Sequence, residues 1–154
     1  MLKLRKNKKG FTLVELIVVI AIMAVLAGTV AGVTVTQLNK QTDNTNANQA
    51  TTLANSISSY IVEGTALKGS DNKVSADLQK EIAENYPSLT INYDADPTNS
   101  GEFYVKYKTA GTTEYLEVGY KKKSSGKAVT PVAYVTDTGA VSTSEPTASA
   151  GTGD

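Results

Sequence analysis

Glu15 stands at the start of a long apolar run, "GFTLVELIVVIAIMAVLAG", and its carboxylate has more to explain than any other charge in the chain. An ionised side chain deep in hydrocarbon costs about 2.5–3.5 kcal/mol on insertion scales, and such residues usually mark function. Two other stretches carry functional groups at suggestive spacing. "DADPTNSGE", from Asp94, alternates acidic and hydroxyl groups in the manner of a calcium loop. Its sixth position is Asn99, where an EF-hand needs Gly, and its twelfth is Val105, where it needs Glu. We read it as a solvated loop, a calcium site being the minority reading, and assign no metal. "KKKSSGK", from Lys121, is basic enough to touch DNA or a surface, but a solvated hairpin explains it better.

The remaining composition points away from catalysis. The 154 residues include no Cys and no His, which removes disulfides, thiolate nucleophiles, histidine bases and the usual zinc ligand sets. No nucleophile–base pair and no phosphate loop is recognisable, so we expect neither an enzyme nor a cofactor. The formal net charge of zero hides an asymmetry. Lys3, Arg5, Lys6, Lys8 and Lys9 make residues 1–10 wholly positive; without them, ten basic residues face 15 acidic ones. The remainder is acidic, and no specific nucleic-acid partner is expected.

These groups must be positioned by the elements around them. Leu16 to Val35 is a run without a charge, in which only Thr29 and Thr34 are polar, and its length suits a membrane-spanning helix. Basic residues flank its N-terminal side alone, which places the leader in the cytoplasm and the rest outside. The run is longer than the ~7–15 residues of a secretory signal core, and no Cys is present for a lipoprotein signal.

"KKGFTLVEL" resembles the processing site of type IV prepilins, over about residues 8–27. The resemblance implies that a prepilin peptidase cuts between Gly10 and Phe11, then methylates the new amine of Phe11. Lys8 and Lys9 belong to the leader that is removed. Gly10 suits a scissile bond because it offers no side chain and a permissive backbone. In the family the glutamate at Glu15 meets the N-terminal amine of a neighbouring subunit. That pairing neutralises two costly charges together and fixes axial register. Many members carry a glycine and a proline in the apolar half; Ala24 and Gly32 stand at those places here, with an extra Gly28. Gly28 and Gly32 have small-xxx-small spacing, a weak packing motif that helix flexibility explains equally well.

Beyond the membrane the helix is expected to continue. Ala50, Leu53, Ala54, Ile57, Tyr60 and Ile61 share one helical face, Pro is absent from residues 11–63, and Gly64 is a natural stop. Residues 39–49, rich in Asn, Thr and Gln, are poor helix formers, and bending is expected there. Ser75 caps a short second helix that Pro87 ends. Four β-rich segments follow: "LTINY", "EFYVKYK", "EYLEVGYKK" and "AVTPVAYV". In them Phe103, Val105 and Tyr107, and likewise Leu116, Val118 and Tyr120, alternate with charged or exposed neighbours. Pro131 argues for an edge position or a strand start. With no disulfide available the sheet must close by packing alone, as in the cysteine-free pilins of Gram-positive bacteria.

The expected fold is α+β, pilin-like: a long N-terminal helix packed against a small antiparallel sheet of three to five strands. The organisation is a cleaved leader at 1–10, a transmembrane and assembly helix at 11–35 and an amphipathic helix at 36–63. A globular head at 64–141 and a disordered tail at 142–154 follow. The function implied is a structural subunit of a type IV pilus, or fimbrium, on the cell surface. Its expected partners are copies of itself, other pilins, the prepilin peptidase, the cytoplasmic membrane and the pilus assembly machinery. Its expected location is the cytoplasmic membrane as a single-pass protein, then the extracellular fibre. A pseudopilin of a type II secretion or DNA-uptake apparatus is the close alternative. An uncut membrane-anchored surface binding protein is the more distant one.

Overall fold

The computed structural model describes residues 10–124 and 129–148, with the backbone alone at Ala31. The leader charges Lys8 and Lys9, the rest of the leader and the last six residues of the tail lie outside the described residues. The chain divides into two units between Leu38 and Asn39. Helix α1 (Leu13–Val62) contributes to both.

In the first unit α1 is apolar on every side, and its large side chains from Leu13 to Leu38 are exposed. Its most apolar 18-residue window has mean hydropathy 2.8 and is 0% buried, so the helix is long and apolar enough to cross a membrane. Its threonines do not spoil that character. Thr29 donates to Leu26 O (3.0 Å), Thr34 to Val30 O (2.7 Å) and Thr36 to Gly32 O (3.2 Å), so each hydroxyl is satisfied within the helix.

The second unit is an α+β domain. α1 stops where Gly64 takes φ +108°, and the amides of Gly64 and Thr65 donate to the carbonyls of Ile61 and Tyr60. This is a Schellman ending, which needs a residue free to enter the left-handed region. α2 (Ala76–Asn85) begins as expected: the Ser75 hydroxyl accepts from Leu78 N at 3.2 Å. The strands are β1 (Ile91–Tyr93), β2 (Phe103–Ala110), β3 (Thr113–Lys121), β4 (Val129–Thr136) and β5 (Val141–Ser142). They form one sheet in chain order.

The sheet is mixed rather than wholly antiparallel. β1 runs parallel to β2, pairing Ile91 with Phe103, while the other three pairings are antiparallel. Asp94, at φ +53°, directly follows β1, and residues 94–102 carry the chain back so that β2 runs in the same direction as β1. The Asp94 carboxylate anchors that turn by accepting from Val74 N (2.9 Å) and Tyr107 N (2.8 Å). β5 ends at Ser142, the first residue of the segment expected to be a tail.

The core lies between α1 and one face of the sheet. Leu53, Ala54, Ile57 and Ile61 of α1 meet Leu78 and Ile82 of α2 and Val105, Leu116, Val118, Ala133 and Val135 of the sheet. Each fully buried Val, Leu or Ile side chain contributes about 1.5–3 kcal/mol relative to exposure. Pro131 sits beside the register shift at Val118/Gly119 and outside the reach of β5, which pairs only with Tyr134 and Val135. A β4 with partners on both sides therefore tolerates it.

The other face of the sheet departs from expectation. Tyr104 and Glu117, read as exposed neighbours of the core positions, are buried. The Tyr104 hydroxyl donates to Glu117 Oε1 at 2.9 Å, and Lys108 pairs with the second oxygen of that carboxylate. Lys106 stands 5.2 Å over the Tyr104 ring, and Tyr115 meets Tyr134 edge-on at 5.9 Å. Burial, reinforced by the hydrogen bond to Glu117, pushes the Tyr104 phenol well above its ordinary value. Among the described residues, no fully buried side-chain nitrogen or oxygen on this face lacks a hydrogen-bond partner.

Candidate functional site at the start of the apolar helix

Gly10, Phe11 and Thr12 precede α1 as non-helical backbone, and all three are exposed. Among the described residues, nothing lies within 4 Å of the place where a side chain on Gly10 would begin. Phe11 itself is 92% exposed. Glu15 lies in the first turn of α1.

The geometry at Glu15 adds something that the sequence reading missed. Glu15 Oε2 accepts from the backbone amide of Thr12 (2.9 Å) and from its hydroxyl (3.1 Å). The Thr12 hydroxyl in turn accepts from Glu15 N at 3.2 Å. This is a reciprocal capping box, the T-x-x-E form, which satisfies two of the helix's unpaired amides. The signal is legible in "FTLVE", where a Thr and a Glu stand three residues apart at the start of the helix. The box leaves Glu15 Oε1 with no donor among the described residues. Around it Phe11, Val14, Leu16, Val18 and Val19 line an open apolar recess of about 560 Å³.

The carboxylates of the Asp94 loop have other employment. Asp94 holds two backbone amides, and Asp96 pairs with Lys106. Glu102 accepts from the side-chain and backbone nitrogens of Asn99, from Asn92 Nδ2 and from Thr98 N. Those bonds hold its carboxyl below the usual carboxylate range. The loop's acids therefore serve to fix it in place. In the basic stretch, Lys121 Nζ donates to the carbonyls of Pro97 (3.3 Å) and Thr98 (2.8 Å). The amides of Lys123 and Ser124 donate to Asp43 of α1.

Comparison with known proteins bears on the N-terminal segment. Residues 5–31 match the family model described as the prokaryotic N-terminal methylation motif, the signature of type IV pilins and prepilins. No curated protein and no solved structure matches the chain.

Proposed function

We propose that this chain, which carries the prepilin signature, is a structural subunit of a type IV pilus-like surface fibre. Prepilin peptidase cuts it between Gly10 and Phe11 and methylates the Phe11 amine. The processed chain waits in the cytoplasmic membrane and then enters the fibre through α1. The observation that carries this reading is the apolar half of α1, whose large side chains from Leu13 to Leu38 are exposed. The head, meanwhile, already has a closed core of its own. Lipid covers such a surface before assembly, and neighbouring helices cover it afterwards.

Glu15 gives the reading its chemistry. Its second oxygen, which has no donor among the described residues, meets the Phe11 amine of a neighbour while the capping box holds the first. An ion pair between subunits neutralises both charges inside an apolar bundle and admits only one axial register. Mass spectrometry of the native N-terminus tests the processing step. A chain beginning at N-methylated Phe11 is expected; an intact leader on assembled protein contradicts the proposal.

A further inference from the structure

The lysines of the head fall into two groups, those with a partner and those without. Lys68, Lys80, Lys106 and Lys108 are held in ion pairs, and Lys121 donates to the carbonyls of Pro97 and Thr98. Among the described residues, the ammonium groups of Lys40, Lys73, Lys122 and Lys123 have no ion pair and no hydrogen bond. Three of those four, Lys40, Lys122 and Lys123, are gathered around Asp43.

Asp43 does the gathering without pairing to any of them. Its buried carboxylate accepts from the amides of Lys123 and Ser124 and from the Ser124 hydroxyl. Backbone and hydroxyl make these bonds, so the side chains of Lys122 and Lys123 take no part in them. Lys40 precedes Asp43 by three residues on α1 and so shares its face of the helix. Lys122 is half-buried, while Lys40 and Lys123 are exposed. Burial opposes ionisation of Asp43, but the bonds from Ser124 and Lys123, with the nearby charge of Lys122, hold its carboxyl below the usual range. One satisfied carboxylate thus faces three ammonium groups, a positive patch on a head that is acidic elsewhere.

Chain connectivity says what lies within reach. Lys40 follows Val35, the last residue of the charge-free run, by five residues. Five residues span at most about 18 Å fully extended and about 7.5 Å as helix. The second figure is close to the screening length of about 8 Å at physiological salt. Asp43, with the hairpin tied to it, comes only three residues later. Lysine carries a compact, strongly hydrated charge on a flexible stem, which suits a diffuse anionic surface better than a bidentate pocket. We propose that Lys40, Lys122 and Lys123 dock the head on anionic phospholipid headgroups while α1 holds the chain in the membrane.

The test places the full chain in nanodiscs of phosphatidylcholine, alone or mixed equally with phosphatidylglycerol, and follows it by ¹⁵N NMR. The proposal rests on α1 being membrane-anchored, which co-elution of chain and discs checks separately. Residues 1–10 carry positive charges of their own, so the readout is confined to the amides of Lys40, Lys122 and Lys123. These are expected to shift in the mixed discs relative to phosphatidylcholine alone, and to return as salt is raised. Lys123→Gln keeps the backbone amide that binds Asp43, so the hairpin stays anchored while one charge is lost. It should lower the ratio of docked to undocked head about five-fold, the worth of one lysine near an anionic surface. Replacing all three lysines by Gln should abolish the shifts. Inorganic phosphate or a short DNA duplex, added to phosphatidylcholine discs, should not reproduce them. Identical spectra in the two discs, shifts that survive the triple replacement, or the same shifts from free phosphate or DNA would each overturn the proposal. No fibre is needed for any of these readouts, so a chain that enters the discs without docking leaves the fibre reading untouched.

Discussion

Asp43 on α1 holds the end of the β3–β4 hairpin through Ser124, 81 positions away in sequence. One carboxylate oxygen accepts from Lys123 N at 2.7 Å, and the other accepts from the amide and hydroxyl of Ser124. Asp43 is buried in doing so. Asp43→Ala strands two backbone donors and should cost about 2–3 kcal/mol, in line with hydrogen bonds to a charged group. Thermal unfolding of the detergent-solubilised chain, followed by circular dichroism, measures this. An unchanged midpoint would show the anchor to be dispensable.

Gly119 makes a second prediction. A Cβ there would lie 2.3 Å from Thr130 O and 2.7–2.8 Å from the Tyr104 phenol. The tyrosine ring crosses the sheet at this point because the glycine leaves room for it. Gly119→Ala must displace backbone as well as ring, and should destabilise by about 1–3 kcal/mol, as overpacking does. The same unfolding assay reads it, and a neutral result would mean that this face of the sheet is loosely packed.

Lys68 and Glu114 supply a pH dependence. The bond from Lys68 holds the Glu114 carboxyl below its ordinary 4.5, and the same bond raises Lys68 above its ordinary 10.5. A depressed carboxyl stabilises the fold above its unfolded pKa, and that contribution fades as pH falls through the folded value. The raised lysine contributes fully below its unfolded pKa, and its share is lost as pH rises through the folded value. The stability difference between the parent and Glu114→Gln should therefore be level near pH 7 and shrink on acidification below about 4.5. A difference that holds constant down to pH 2 would show that the pair is not linked to folding.

Much of this architecture was legible because hydrophobic period and punctuation speak plainly. The stripe from Ala50 to Ile61, the Ser75 cap and the Gly64 stop all follow from local rules, and each is where the sequence placed it. Harder to read were polar residues whose partners are remote. The polarity of residues 39–49 looked like weak helix, yet Asp43 anchors a hairpin and Asn46 lines a cleft. Tyr104 and Glu117 looked like the solvent side of an alternating strand, and their mutual bond buries both. The direction of β1 was equally hidden, because it depends on the course of the connecting residues 94–102. At the N-terminus the sequence displayed Gly10, Phe11 and Glu15, but the pairing of Glu15 with Thr12 was read only from the structure.

That pairing sharpens the measurement that matters most. Glu15→Ala removes both the charge and the capping box, so a loss of fibres in that strain has two explanations. Glu15→Gln separates them, because glutamine serves equally well in the third position of the box but carries no charge. It also lowers the cost of membrane insertion, so the membrane pool should not fall. If Glu15 pairs with the Phe11 amine of a neighbour, that amine is buried alone in the Gln strain, at a cost on the order of 3–5 kcal/mol per subunit added. The direct measurement is sheared fibre against membrane protein in the parent, Glu15→Gln and Glu15→Ala strains. Leader cleavage and membrane levels are expected to be normal in all three, with sheared fibre reduced at least about ten-fold in both variants. Fibre at the parental level from Glu15→Gln, with loss only from Glu15→Ala, would contradict that pairing and leave Glu15 as a helix cap alone.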